Sequence, residues 1–333
     1  MTSTPSPQLL QQYQASRDSC VLVEPVQHTQ LLLTGADHRE FLHKFCTADL
    51  DKLDSGQGSE AFVTSVQGKT VGYLQVLAHH DRLQLVTADG QAATLIGHLD
   101  RYLIREQVQF DDQTEQSQAS LLVGPESTQQ LEQLLELPLP LQPLDHLSYQ
   151  YADHSLQLIR CPAPLDGYWL VANPACQQEL AADCQAAGIA AAGSQLWASL
   201  RIEAGLPEYG IDINEDNLPQ EVNRNSQSIS FTKGCYLGQE TVARIDAMGH
   251  VNRLLTGLQL AADSSLTSGS TISIDDRVLA RITSVAYSPQ LQAPLALGYV
   301  RRDSCQAGDS IGNGDQQAII RSLPLSPEKP SEA

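Results

Sequence analysis

The stretch KGCYLGQE, residues 233–240, is the most informative segment of the chain and predicts a junction between a loop and a helix. Gly234 and Gly238 permit close backbone approach or a positive φ, and the apolar positions that follow have helical spacing. Cys235 would then lie just before a helix N-terminus and two residues from Lys233, and both features favour a thiolate. The pattern fits a structural cysteine at a capped turn equally well, so both interpretations stay open.

The segment that precedes this junction contains a predicted helix, 194–204, which ends at Gly205. Trp197 on this helix fits either ordinary core packing or a flat wall for a planar ligand. Glu203 lies near the helix C-terminus, where a carboxylate is unfavourable. It is either a solvated surface acid or a buried acid that accepts hydrogen bonds from a heterocycle. Residues 208–232 read as a long loop, and long loops inside a compact domain are usually functional.

Two short motifs invite a chemical interpretation that the sequence does not support. Gly68-Lys69-Thr70 ends like a phosphate-binding loop, but Val63 occupies the position where that loop needs a glycine. His79-His80-Asp81 offers metal-ligand side chains, but adjacent residues of a strand point to opposite faces. Both motifs are therefore predicted to be turns between strands.

The rest of the chain predicts an α+β protein. Alternating strands and helices occur from residue 29 to 110 and again from 121 to 187, and short alternating runs from 255 to 321 predict a small β-barrel. The predicted divisions are a flexible N-terminus (1–18), an α+β region of two lobes (19–250), a barrel (251–323) and a disordered tail (324–333).

Composition excludes several classes of protein. The 333 residues include 20 Lys and Arg against 39 Asp and Glu, a formal charge of −19, which disfavours a protein that grips nucleic acid through phosphates. No apolar stretch reaches the length of about 18 residues that a membrane span needs, and the N-terminus lacks a secretory pattern. The seven cysteines form no CxxC pair, so a disulfide framework or a zinc or iron–sulfur ligand set is not expected. A cytoplasmic protein without a metal centre is expected.

Taken together, the segments resemble the YgfZ-type folate-binding proteins, relatives of the aminomethyltransferase (T-protein) of the glycine cleavage system. The resemblance covers about residues 20–322 and rests on KGCYLGQE (233–240), LRIEAGLPEYGIDI (200–213), LPQEVN (218–223) and LLLTGADHREFLHKFCTADLDKL (31–53). It implies a GcvT-like ring of three lobes, two ferredoxin-like and one a C-terminal β-barrel, around a central cavity that holds tetrahydrofolate.

The resemblance also implies a function and a set of site residues. YgfZ-type proteins are linked to the synthesis or repair of iron–sulfur proteins and, indirectly, to tRNA modification, so folate and iron–sulfur client or assembly proteins are the expected partners. Cys235 matches the thiol on which their activity rests, assisted by Lys233. The residues expected to hold the folate are Trp197, Glu203, His28 and Gln239.

Three departures from the family pattern carry consequences. His28 stands where the family has a second folate-site tryptophan, which replaces a stacking wall by a smaller ring that titrates. Residues 68–74 contain no carboxylate where the aminomethyltransferases carry a catalytic Asp. This weakens the alternative of a folate-dependent one-carbon transferase. The acidity of the chain argues against direct binding of nucleic acid. A third alternative is an interaction scaffold in which Cys235 is structural.

Overall fold

The computed structural model describes residues 5–140, 142–275, 277–304 and 306–326. Within these ranges the helices are α1 (Pro7–Asp18), α2 (His38–His43), α3 (Ala92–Asp100), α4 (Ser127–Leu135), α5 (Pro174–Ala186), α6 (Ser194–Ala204), α7 (Asn225–Ser228) and α8 (Gln239–Met248). The strands are β1 (Val21–Val26), β2 (His28–Thr34), β3 (Gly58–Thr64), β4 (Thr70–Ala78), β5 (Leu83–Ala88), β6 (Gln109–Asp112), β7 (Gln118–Val123), β8 (His146–Tyr151), β9 (His154–Arg160), β10 (Gly167–Ala172), β11 (Ala190–Ala192), β12 (Arg253–Leu260), β13 (Thr271–Ile274), β14 (Arg277–Ser288), β15 (Ala293–Arg301), β16 (Ser310–Ile311) and β17 (Ala318–Arg321).

The first lobe is a five-stranded antiparallel sheet in the order β3-β4-β5-β2-β6. Side chains alternate between the two faces of each strand. Leu31 and Leu33 of β2 therefore point to one face, where they share a core with Phe41 of α2 and Leu95 of α3. The opposite face of the sheet is left to pack against the second lobe.

The second lobe is a six-stranded sheet in the order β11-β1-β7-β10-β9-β8. Strand β1 comes from the N-terminal end of the chain but joins this lobe, parallel to β11 and antiparallel to β7. Helices α4 and α5 cover one face, where Leu131 and Leu180 are buried. The other face meets the first lobe in a shared core that includes Leu77, Val86 and Val171. The two sheets thus form a seam between the lobes.

The third lobe is a six-stranded antiparallel sheet in the order β13-β14-β15-β12-β17-β16. Its own core contains Leu258, Ile282 and Val300. A second core joins it to the rest of the protein through Ile202 of α6 and Phe62 of β3. The fold is α+β with three lobes, as the sequence predicts.

Near both ends of the chain, the described residues form structure that the sequence does not predict. The prediction of a flexible N-terminus through residue 18 is wrong from Pro7 onward, because α1 begins there. The Ser6 hydroxyl oxygen accepts a hydrogen bond from the Leu9 N–H at 3.1 Å, and Leu9 and Tyr13 are buried. At the other end, residues 324–326 of the expected disordered tail are placed, and the Leu325 N–H donates to the Glu203 carbonyl at 2.9 Å. Residues 327–333 lie outside the described ranges.

The two short motifs are turns, as predicted. Gly68 and Lys69 lie in the turn that links β3 to β4, and Thr70 is the first residue of β4. Gly68 has a φ of +75°, and a Cβ there would lie 2.7 Å from the Thr241 side chain. His79-His80-Asp81 links β4 to β5. Among the described helices, none has the length and apolar character needed to cross a membrane.

Candidate functional site

A cavity of about 300 Å³ lies between the two α+β lobes and helix α6. Strands β1, β2, β4, β5, β7, β9 and β10 each contribute residues, and the short segment 206–209 after α6 closes one side. The lining residues are Val26, Gln27, His28, Tyr73, Leu74, Gln75, Val86, Thr87, Ala88, Ala119, Ile159, Pro162, Trp169, Val171, Trp197, Arg201, Leu206, Pro207, Glu208 and Tyr209. A mainly apolar cavity with a few polar groups is the usual form of a small-molecule site.

Three aromatic rings form one wall of this cavity. The ring centroids of His28 and Trp169 are 5.0 Å apart at 73°, and those of Trp169 and Trp197 are 5.1 Å apart at 78°. Edge-to-face contacts of this kind hold the rings in fixed orientations. Burial lowers the pKa of His28, so its ring is neutral near pH 7. Trp169 therefore contacts both His28 and Trp197 in this wall.

Arg201 and Glu208 supply charge to the cavity. The Arg201 guanidinium donates to the Asp212 carboxylate at 2.5 Å, the Ser284 hydroxyl at 2.8 Å and the Leu206 carbonyl at 2.9 Å. In this position the Arg201 Nε atom is 3.7 Å from the Glu208 carboxylate. Burial is the main cause that raises the pKa of Glu208. Arg201 is thus fixed, whereas the Glu208 carboxylate is available to a ligand that offers hydrogen-bond donors.

A buried ion pair between Glu60 and Arg224 contacts Tyr73, which lines the cavity. The Tyr73 hydroxyl donates to the Glu60 carboxylate, and the Arg224 guanidinium contacts both oxygens of that carboxylate, one at 2.6 Å. The Glu60 and Arg224 side chains are only 4% and 7% exposed. Burial and the Glu60 charge raise the pKa of Tyr73, so it stays a hydroxyl. This pair fixes one wall of the cavity.

Glu203 is buried but does not line the cavity. Its carboxylate accepts hydrogen bonds from the Tyr13 hydroxyl at 2.7 Å, the Ser288 hydroxyl and, at 3.4 Å, the Gln290 N–H. Burial raises its pKa although these donors oppose the shift. The interpretation of Glu203 as a buried acid matches the structure, but its donors are protein groups. It ties α1 and β14 to α6.

The loop at residues 233–240, which we call the thiol loop, is docked on the first lobe. The Lys233 ammonium donates to the carbonyls of His43, Cys46 and Ala48 at 2.5, 2.9 and 2.7 Å, and it lies 5.1 Å from the centroid of the Tyr236 ring. Burial lowers the pKa of Lys233. Its described contacts are those of an anchor for the loop.

Cys235 is exposed, whereas the other described cysteines are buried. Burial raises the pKa of their thiols, to about 11 for Cys20 and Cys46 and to about 12 for Cys184. Burial therefore disfavours the thiolate of these cysteines, which is their reactive form. Cys305 lies outside the described ranges. Gln239 is the first residue of α8, and Gly238 caps that helix with a φ of +80°.

The predicted site residues therefore fall in three places. His28 and Trp197 share the cavity, while Lys233, Cys235 and Gln239 belong to the thiol loop and Glu203 to the joint with α1. Of the residues that line the cavity, only His28 and Trp197 were predicted from the sequence; Trp169, Tyr73, Arg201 and Glu208 are among those that were not. The sequence contains only two tryptophans, Trp169 and Trp197, and this rarity was the signal that could have identified Trp169.

One group of side chains in the described chain has the geometry to hold a metal ion. His43, Asp49 and Asp51 offer ligand atoms that all lie within 4.8 Å of one another. The His43 Nδ1 atom is 3.9 Å from Asp49 and 3.8 Å from Asp51. The ammonium of Lys52, 2.7 Å from Asp49, already neutralises one carboxylate. The Lys233 bond to the His43 carbonyl places this group beside the thiol loop.

Comparisons with known proteins agree with this architecture. The GCVT N-terminal domain matches residues 3–164, and the glycine cleavage T-protein C-terminal barrel domain matches residues 253–314. The chain is similar to the tRNA-modifying protein YgfZ of Yersinia enterocolitica, with 29% identity over 71% of this chain and 70% of that protein. It is also 26% identical, over 92% of this chain and 72% of the relative, to an Arabidopsis thaliana protein provisionally named a chloroplastic transferase.

The crystal structure of glycine cleavage system aminomethyltransferase T from Bartonella henselae has the same fold. The TM-score is 0.77 at 19% identity, over 96% of this chain and 89% of that one.

Proposed function

Because the chain is a YgfZ-type relative of the glycine cleavage T-protein, we propose that it binds tetrahydrofolate and assists the synthesis or repair of iron–sulfur proteins. Its effect on tRNA modification would be indirect. The observation that carries the proposal is the convergence of both tryptophans and His28 on one cavity between the lobes.

The cavity suits a ligand with flat aromatic parts. Trp169 and Trp197 meet edge to face, so each can offer a ring surface or edge to a pterin or an aminobenzoyl group. Glu208 adds one acceptor, and a pterin presents ring and exocyclic N–H donors to such a group. In this proposal Glu208 takes the part that the family resemblance assigns to Glu203.

The thiol loop supplies the second half of the proposal. Cys235 is the exposed thiol among the described cysteines, and the Lys233 anchor holds its loop on the first lobe. A single cysteine without a CxxC partner cannot hold a cluster within one chain. We therefore place Cys235 in transient contact with an iron–sulfur client or assembly protein.

Calorimetric titration tests the folate half. We expect saturable binding of tetrahydrofolate to the wild-type protein and a loss of at least about tenfold in affinity for Trp197→Ala, because one stacking ring is removed. Phe231→Ala, a change of an exposed aromatic residue outside the cavity, serves as the matched control. Absence of saturable binding by the wild type would refute this half.

Complementation tests the thiol half. In a strain that lacks its own YgfZ-type protein, Cys235→Ala should fail to restore the activity of an iron–sulfur enzyme. Cys176→Ala, a change of a buried cysteine, should restore it. Full rescue by Cys235→Ala would show that the thiol has no such role.

A second candidate is a folate-dependent one-carbon transferase, and Glu208 is the observation that favours it. The cavity does contain a carboxylate with a raised pKa, although residues 68–74 contain none. Incubation with tetrahydrofolate and an aminomethyl donor would then yield methylenetetrahydrofolate, and Glu208→Gln would abolish that product. No product with the wild type would rule this candidate out.

A further inference from the structure

A second cleft, of about 300 Å³, opens in the seam between the first two lobes. It shares Val171 with the aromatic cavity, and strands β2, β5, β9 and β10 contribute residues to both. On β2, His28 faces the cavity and Gln30 faces the cleft, and two residues of a strand span about 6.6 Å. The seam is therefore apolar and aromatic at one end and polar at the other.

The polar cleft differs from the rest of this acidic protein. Its described lining includes five glutamines, three serines and Arg82 but no Asp or Glu, although the chain holds 39 acidic against 20 basic residues. The Arg82 guanidinium has one carboxylate neighbour, Asp81 at 3.0 Å, which is itself 70% exposed. The remaining guanidinium donors can therefore serve a ligand.

A chain of amides fixes the floor of the cleft. The Gln84 amide N–H group donates to the Gln30 and Gln157 side-chain oxygens, both at 3.0 Å, and Gln157 donates back to Gln84 at 2.7 Å. A His79 ring nitrogen lies 3.1 Å from the same Gln84 oxygen. In this arrangement the Gln30 side chain takes part through its oxygen, which accepts from Gln84.

One amide donor in this group, on the Gln30 side chain, has no described hydrogen-bond partner. Gln30 is only 3% exposed, and its Nε2 has no hydrogen-bond partner among the described residues. An unsatisfied buried N–H costs about 1–3 kcal/mol, so such a group is normally matched by an acceptor. The donor belongs to a residue that lines the cleft, where an acceptor can reach it.

We propose that this polar cleft binds a carboxylate group. A carboxylate accepts hydrogen bonds only. The cleft offers it the Gln30 amide, serine hydroxyls and those guanidinium donors of Arg82 that do not contact Asp81, and no Asp or Glu is among its described lining residues. The carboxylate belongs either to a free dicarboxylate or to the glutamyl tail of a folate whose rings lie in the aromatic cavity. Only the second source depends on the proposed function.

Calorimetric titration with glutarate, the simplest five-carbon dicarboxylate, tests this proposal. We expect saturable binding by the wild type and a loss of at least about tenfold for Arg82→Gln, since a charge-assisted hydrogen bond is removed. Arg302→Gln, a change of an exposed arginine outside the cleft, should bind like the wild type. The neutral isostere 1,5-pentanediol should not bind.

Nuclear magnetic resonance locates the ligand and identifies its source. Glutarate should shift a glutamine side-chain amide signal that Gln30→Leu removes, and it should leave the two tryptophan indole signals in place. The folate tail is the source if a pteroyl triglutamate shifts both the glutamine amide signal and the tryptophan indole signals. It should then also bind more tightly than the monoglutamate. A free dicarboxylate is the source if glutarate alone reaches the cleft.

Absence of saturable binding by glutarate and by the triglutamate tail would overturn the proposal. Equal affinity in Arg82→Gln, or equal binding of 1,5-pentanediol, would do the same. The glutarate result stands even if tetrahydrofolate fails to bind the aromatic cavity, so the two proposals fail separately.

Discussion

The aromatic cavity and the thiol loop are built in opposite ways. The cavity draws His28, Trp169 and Trp197 from segments far apart in the chain, whereas the loop is eight consecutive residues. The cavity encloses its groups between two sheets, whereas the loop exposes its cysteine and buries its lysine. A binding cavity needs side chains from several secondary-structure elements. A reactive side chain needs only one loop that is held in place by contacts with the rest of the protein.

This difference predicts where substitutions are costly. Groups that hold the cavity walls or anchor the loop should dominate stability, while the exposed thiol should matter for chemistry alone. The following changes test that division.

The largest loss of stability is expected at the ion pair behind the cavity. Arg224→Met leaves the Glu60 carboxylate buried without its partner and should lower the free energy of unfolding by about 3–5 kcal/mol. Arg277→Met is the matched control, because Arg277 and its partner Asp303 are about half exposed, and it should cost about 0–1 kcal/mol. Urea unfolding measures the free energy of unfolding of both variants. Similar losses in Arg224→Met and Arg277→Met would contradict the expected difference between a buried and an exposed ion pair.

The anchor of the thiol loop comes next. Lys233→Met leaves three carbonyls without their donor and should lower the free energy of unfolding by about 2–3 kcal/mol. Lys44→Met, a change of an exposed lysine paired with Glu40, should change it by less than about 0.5 kcal/mol. A loss confined to the labelling rate of Cys235, with stability unchanged, would mean that Lys233 serves the thiol and not the fold.

The next effect is a pH dependence that belongs to the cavity. Burial lowers the pKa of His28 in the folded protein. As pH falls, His28 is therefore protonated in the unfolded chain at a higher pH than in the folded protein. The His28 contribution to stability is therefore complete above a pH of about 6.5 and is lost as pH falls towards the folded pKa. Between about pH 7 and 5, the free energy of unfolding should therefore fall further in the wild type than in His28→Gln.

His250→Gln, a change of an exposed histidine, should track the wild type across this range. Parallel pH profiles for the wild type and His28→Gln would show that His28 does not titrate in this way.

The smallest effect on stability is expected at the thiol itself. Cys235→Ser should change the free energy of unfolding by less than about 0.5 kcal/mol, because the side chain is exposed. Thiol labelling of the folded protein, in a Cys305→Ser background, should modify one cysteine rapidly, and Cys235→Ser should abolish that phase. Slow labelling of Cys235 would instead favour a structural cysteine.

The sequence was a good guide wherever local pattern decides the structure. The helix predicted at 194–204 is α6, and the turns at Gly68 and His79 lie between the predicted strands. The thiol loop was identified because its residues are consecutive. The contacts of Lys233 were not, because its partners lie about 190 residues away.

The cavity was predicted only in part, because its walls are assembled by tertiary packing. Trp169 lies in a strand whose six residues are all buried, so its pattern is that of ordinary core. Helix α1 was not predicted because most of its residues are polar, although the hydrophobic side chains of Leu9 and Tyr13 are buried. Glu208 was missed because a lone acid in a loop looks solvated until its neighbours are known.

The central claim is that folate occupies the aromatic cavity while the thiol loop stays apart from it. The most direct measurement is a titration of tetrahydrofolate followed by the indole N–H signals of Trp169 and Trp197, combined with the labelling rate of Cys235. Both indole signals should shift, and the labelling rate of Cys235 should be unchanged. Unmoved indole signals at saturating ligand, or protection of Cys235 by the ligand, would contradict it.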